Sequence, residues 1–285
     1  MNREPKDDVA TGDTDRDYQE LCRVICNGLA ATDLPLPQRT RLREGLLQRV
    51  TESVRRHAGF LVVRAADGVW RHVKAGVRAK LLWEGAQGAS VLIDFARGAT
   101  LPPHRHQHLE EGIILRGSLQ LDDLVLGPGD YHVSPPGSRH RSITSPGGGL
   151  AYLRGTSLGH TKGVIGELLG GLLPGEGPAV HTVLAQQCNW RQLAPGVEEA
   201  PLWHHGNTVS RFIRLAPGSC LTGHAHPSDE ECMMLSGDAF FGDLLVQSGE
   251  FHLAPAGSTH QEISSDGGAL LFVHGQPPLP LPHRA

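Results

Sequence analysis

The chain has 285 residues, with 26 Lys and Arg against 30 Asp and Glu, for a formal net charge of −4. That balance offers no basic stripe to a polyanion, so nucleic acid is not expected as a direct partner. No apolar run approaches the roughly 18 residues of a membrane span, and no membrane partner is expected.

Residues 1–16 are rich in Asp without an apolar period and read as a disordered tail. This start is acidic and polar where a signal peptide is basic and then apolar, so a cytoplasmic location is expected. Leu21, Val24, Ile25 and Leu29 recur at helical spacing between Tyr18 and Ala31, and Leu42, Leu46, Leu47 and Val50 do so between Gln38 and Arg56. Pro35 and Pro37 separate the two patterns, and residues 17–58 form a helical segment too small to hold a large core alone. Cys22, Cys26, Cys188, Cys220 and Cys232 are odd in number, so reduced thiols are expected rather than a disulfide framework.

From Phe60 the texture changes to short β-branched runs broken by Gly, Pro and Asp, such as Val91-Leu92-Ile93 and Ile113-Ile114-Leu115. Turn signals about every ten residues predict an all-β sandwich or barrel. The unit from Phe60 to Gly155 then recurs 120 residues later without a gap: Trp70 and Gly76 return as Trp190 and Gly196, His104 as His224 and His140 as His260. A whole domain is therefore duplicated. The expected organisation is a first β domain over 59–156, a linker over 157–178, a second over 179–276 and a Pro-rich tail over 277–285. Within the linker, Lys162–Leu173 suits a short helix ahead of the Gly/Pro stretch Pro174–Pro178, and the tail suits only an edge.

Each copy carries a set of metal-ligand type. His104 and His106 are two apart, so on a strand both imidazoles share a face, and Glu110 keeps that parity. Pro135-Pro136-Gly137 makes a turn that returns His140 beside them. His224, His226, Glu230 and His260 repeat the set at identical spacing. Histidines in strands are commonly core or surface residues, but that explanation must also account for eight positions that hold while neighbours change, as Arg105 does to Ala225 and Leu119 to Ala239. Three neutral imidazoles and a carboxylate suit a divalent transition ion, one per barrel: Zn²⁺ or Fe²⁺ foremost, with Mn²⁺, Ni²⁺ and Cu²⁺ also acceptable.

The patterns G-x5-H-x-H-x3-E-x6-G (Gly98 to Gly117, Gly218 to Gly237) and G-x5-P-x-G-x2-H (Gly129 to His140, Gly249 to His260) resemble the two cupin motifs, complete in both copies. The chain thus resembles a bicupin. Glu110-Glu111, Pro135-Pro136-Gly137-Ser138 and the phrase from Trp70 to Gly76-Val77 resemble the ChrR-like cupins in particular. The resemblance implies a mainly β fold of two tandem cupin barrels (double-stranded β-helix, jelly roll) behind a short N-terminal helical segment. It implies the same eight ligands.

The ChrR-like group includes metal oxygenases that cleave carbon–carbon bonds and a zinc-binding anti-sigma factor whose helical N-terminus holds a sigma factor. The first expectation is a dioxygenase-type enzyme acting on a small carbonyl or hydroxylated compound. The alternative is a regulator whose barrels sense a metal or small molecule while the N-terminal helices hold a sigma factor. Tyr18, Cys22 and Cys26 depart from that factor's His-x3-Cys-x2-Cys motif and weaken the alternative. Of the other residues, His132 and His252 read either as donors that orient a ligand or as surface histidines, and Glu111 and Glu231 point away from the ligand face into structural roles. Cys232 shares the ligands' parity but is more simply a small buried residue, and Trp70 and Trp190 read as core anchors.

Overall fold

The structure is a computed structural model that describes residues 35–158, 161–172, 177–277 and 279–280. The expected tail at 1–16, the helical pattern Tyr18–Ala31 and Cys22 and Cys26 lie outside the described residues, as does part of the Gly/Pro stretch and of the C-terminal tail. The chain divides into a unit Met1–Arg56 and a unit His57–Ala285. In the first, a helix spans Leu36–Arg56 with no buried residue, and its Leu42, Leu46, Leu47 and Val50 are exposed. None of the described helices is long and apolar enough to cross a membrane.

The second unit holds two similar β barrels. In the first barrel one sheet runs in the order His181–Val183, Tyr131–Ser134, Glu110–Gly117, Gly149–Thr156, Gly88–Phe95, Val77–Gly85, Trp70–Lys74. The strands Ala99–Leu101, Ile143–Ser145, Leu119–Leu121 and Leu124–Leu126 form a second sheet, and His104–Arg105 pairs with Arg139–His140. The second barrel repeats the order, with Arg191–Ala194, Val197–His205, Thr208–Leu215, Ala269–Gly275 and Glu230–Phe241 in succession. At its far edge the short strand Leu279–Pro280 pairs with Ser219–Ala225, an edge position that tolerates proline's missing N–H.

Period-2 alternation gives each central strand two jobs. On Glu110–Gly117, Glu110, Gly112 and Ile114 face the interior of the first barrel. Ile113, between them, joins Tyr131, Val133, Tyr152, Phe212, Met233, Phe251 and Phe272 in a core shared by the two barrels. Gly117 and Gly237 end the histidine motif because each sits at positive φ with its Cα against the carbonyl of Gly148 or Gly268, where any side chain would collide.

The opening strands are exchanged. Leu61–Val63 belongs to the first repeat, yet pairs with Phe251–Ala254 of the second barrel, Val62 opposite His252. His181–Val183 of the second repeat pairs with Tyr131–Ser134 of the first, Thr182 opposite His132. Between the repeats a helix spans Thr161–Leu172 and lies against the strand His104–Arg105. Gly171 permits that approach, since a Cβ there would meet the Pro103 carbonyl.

Candidate metal centres

The turn after the second strand of each site clamps the ligands. Gly137 N–H donates to the His106 carbonyl at 2.8 Å and His106 N–H to the Ser138 carbonyl at 3.0 Å, and Gly257, His226 and Ser258 repeat both bonds at the same lengths. With that clamp in place, His140 is directly opposite His104, and His260 opposite His224. Glu110 and Glu230 enter from the neighbouring sheet, opposite Ser134 and Ala254.

In the second barrel His224, His226, Glu230 and His260 are all buried, and one ligand atom from each lies within 4.8 Å of the others. This is the one such group among the described residues. The first barrel gathers its three imidazoles to ring separations of 4.9, 5.0 and 5.5 Å, while the nearest approach of Glu110 to His106 is 3.8 Å, from Oε1 to Nδ1. Its quartet is looser than the 3.4 Å between His226 Nε2 and Glu230 Oε1.

Hydrogen bonds behind the rings set their direction. The Nδ1 of His226 lies 3.2 Å from the Ser258 carbonyl and 3.0 Å from its hydroxyl, so Nδ1 donates and the Nε2 lone pair faces inward. His104 and His224 donate from Nδ1 to the Pro102 and Thr222 carbonyls at 3.0 and 3.3 Å. What remains is a set of buried ring nitrogens without hydrogen-bond partners: both of His106, Nε2 of His226 and both of His260. Buried polar atoms are ordinarily satisfied, and an ion with nitrogen and oxygen ligands would take one nitrogen from each of these rings. The residues therefore fit a metal.

The electrostatics agree. Burial, reinforced by the neighbouring histidines, lowers His106 to about 2 and His140 to about 3, and burial with His252 and His226 lowers His260 to about 2. All are neutral and ready to ligate near pH 7. The carboxylates differ between the barrels. Burial and the charge of Glu167 push Glu110 up to about 8, against a hydrogen bond from Thr156. Burial alone would raise Glu230 too, but the facing His224 and His226 outweigh it and hold the group below the usual carboxylate range.

His132 and His252 are buried, not on the surface, with ring centres 5.3 and 5.2 Å from His140 and His260. The exchanged strand supports one of them, Thr182 Oγ1 lying 2.8 Å from His132 Nδ1. Cys232 is buried in the core of its barrel and also lines the cavity beside Glu230, where burial and that charge raise its thiol well above the usual value. Trp70 and Trp190 are half-buried and pack against the shared core, with Arg78 and Arg214 over their rings at 4.9 and 4.2 Å.

Glu111 and Glu231 face the other barrel and build a network that spacing alone did not indicate. Arg154 Nε donates to Glu231 at 2.7 Å, and its Nη1 lies 3.3 Å from Glu111. Tyr131 donates to Glu111 at 2.6 Å, and His274 Nδ1 approaches it at 3.0 Å. Ser90 donates to Glu231. Arg154 thus joins both carboxylates, and each of them is held by at least one group from the opposite repeat.

The ChrR cupin-like domain model matches residues 58–157 and again residues 179–278. Anti-sigma-E factor ChrR of Cereibacter sphaeroides is 27% identical over 90 residues, a match that takes in 32% of this chain and 42% of that protein. The match therefore spans less than half of that relative's length. A candidate dioxygenase from Nostoc punctiforme shares the fold at a TM-score of 0.58 and 14% identity, over 75% of this chain and 81% of that one. Oxalate decarboxylase of Bacillus subtilis, studied for its Mn(II) centres, does so at 0.55 and 20%, over 76% and 77%.

Proposed function

The chain belongs to the ChrR cupin-like family along both of its halves, and from that premise we propose that it is a metal-dependent bicupin enzyme of dioxygenase type, acting on a small carbonyl or hydroxylated compound. One observation carries the reading: each quartet opens on a cavity. His224 and Glu230 line a space of about 450 Å³, and His104, Glu110 and His140 line one of about 280 Å³. A purely structural ion is normally closed in by its ligands and has no use for such room. Held by His104, His106, Glu110 and His140, or by His224, His226, Glu230 and His260, a divalent transition ion would offer positions for O₂ and a chelating substrate.

The chain's own groups prepare that chemistry. The carbonyls of Pro102 and Thr222 and the Ser258 hydroxyl hold the rings in the ligating tautomer. Adding a carboxylate to three neutral imidazoles lowers the formal charge of a divalent site from +2 to +1, which makes bound water less acidic than at a three-histidine zinc, where its pKa is about 7. Hydrolysis is disfavoured accordingly. Walls such as Ile93, Phe95, Leu121 and Ile143 give the first cavity a largely apolar lining. An Fe²⁺-loaded sample is expected to take up O₂ in the presence of a small β-diketone, and the Glu230→Gln and Glu110→Gln pair to lose that uptake. Uptake no greater than that of the metal-free protein would contradict the proposal.

A second reading is favoured by the ChrR relative and by the exposed apolar residues of the helix Leu36–Arg56. In it the barrels sense a ligand while the N-terminal segment holds a sigma factor. The departure of Tyr18, Cys22 and Cys26 from the zinc motif speaks against it. Retention of a sigma factor by the full chain, without O₂ uptake, would select the regulator.

A further inference from the structure

We propose that Arg211 makes the second barrel a receptor for a small carboxylate-bearing ligand, a preference that the first barrel lacks. Arg211 lies on the strand Thr208–Leu215 with its side chain inside the barrel, lining the same cavity as His224 and Glu230. That side chain is 11% exposed, and its buried Nε has no hydrogen-bond partner. A guanidinium remains charged at any working pH and presents a planar fork of donors. Left in an apolar cavity it is a strong demand for an oxyanion.

The groups nearby do not meet that demand. Glu230 Oε2 stands 3.8 Å from Nη2, beyond a hydrogen bond, and the other oxygen of the same carboxylate faces His226. The second arginine of the cavity, Arg191, is already bound to Glu199 at 2.9 Å from Nε and 2.7 Å from Nη2. The remaining walls, Val209, Ile213, Leu271 and Val273 among them, are apolar and strengthen any charge-assisted bond made inside.

Duplication supplies the internal control. The position of Arg211 is held by Val91 in the first barrel, which is buried. The cation that reaches the first cavity, Lys74, spends its ammonium on the carbonyl and hydroxyl of Thr100, at 3.0 and 3.1 Å. The second cavity thus places a cationic fork beside the quartet, 3.8 Å from Glu230 and on the same cavity wall as His224. It suits a 2-oxo or 2-hydroxy acid, with the carboxylate on Arg211 and the adjacent oxygen toward the position at which His224 and Glu230 would hold an ion.

This deepens the function proposed above, since it treats the quartet as the ion site, but the contrast between acid and neutral ligand can be read without the ion. Titration calorimetry of the full chain with pyruvate and with hydroxyacetone, its neutral counterpart, is the test. Wild-type protein should prefer pyruvate, and Arg211→Met should weaken pyruvate by about ten- to a hundred-fold while leaving hydroxyacetone unchanged. Arg211→Lys, which keeps the charge and guards against a variant that does not fold, should retain part of the preference. Metal content should not change in either variant. Equal binding of the two ligands by wild type, undiminished pyruvate binding by Arg211→Met, or loss of a metal equivalent in a folded Arg211→Met would overturn the proposal. If wild type holds no ion in the second barrel, the enzymatic reading fails on the metal analysis, and the same contrast in metal-free protein still decides the role of Arg211.

Discussion

Imidazoles at alternate positions of a strand look the same way, so His104 with His106, and His224 with His226, declare a shared target before any tertiary contact is known. Their repetition as complete sets, each with a glutamate and a distant histidine at the same spacing while neighbours change, added the second signal. Residues whose partners come from elsewhere in the chain were not legible in this way. His132 and His252 looked equally suited to the surface, and only the sheet shows them behind His140 and His260. Arg211 stands in a run of ordinary strand residues, and its meaning depends on a cavity. Ser258 belongs to the same class, since its bond to His226 Nδ1 spans 32 residues. Ser258→Ala should weaken metal binding at the second site about ten-fold, the lower end for loss of a group that orients a ligand. Competition with a chelator would measure it, and an unaltered affinity would mean that the backbone carbonyl alone fixes the ring.

Helices and the alternation of strands were readable as elements, and their boundaries nearly so. Lys162–Leu173 is observed as Thr161–Leu172, and the pattern from Gln38 to Arg56 as Leu36–Arg56. The exchange of opening strands was not readable. Leu61–Val63 is three residues long, and nothing in so short a run states which sheet it joins; that choice is made by the shared core. Val62→Pro removes an N–H beside the ladder to His252 and should destabilise the second barrel by on the order of 1–2 kcal/mol, although the residue belongs to the first repeat. Hydrogen exchange of Phe251–Ala254 would report it. Faster exchange confined to the first barrel would contradict the exchanged pairing.

At the scale of the molecule the two barrels are held by a common apolar core around a buried charged network. The sequence announced two domains but not how they join, because Glu231 and Arg154 lie 77 residues apart and neither is periodic with the other. The network makes stability depend on acid. Burial alone would raise Glu111, but the charge and hydrogen bond of His274, with Arg154, outweigh it and lower the carboxyl from 4.5 to about 2. The unfolded chain therefore takes up the proton first as pH falls. The stabilisation is complete above the unfolded value, declines below it and is gone once the folded value is passed. Urea unfolding of metal-free protein between about pH 5 and pH 2 should show this loss, and Glu111→Gln should flatten it while lowering stability at neutral pH. Parallel pH profiles for the two proteins would show that Glu111 is not held in the ionised form.

Both barrels rest on the same claim, that each quartet closes on an ion, and metal counting by mass spectrometry addresses it without reference to any substrate. The full chain should carry about two equivalents of a divalent transition metal. His106→Ala and His226→Ala should each carry about one, since losing one of four ligands strips much of an affinity on the order of 10 kcal/mol in small zinc domains. A folded His106→Ala or His226→Ala variant with the metal content of the unaltered chain would contradict the account.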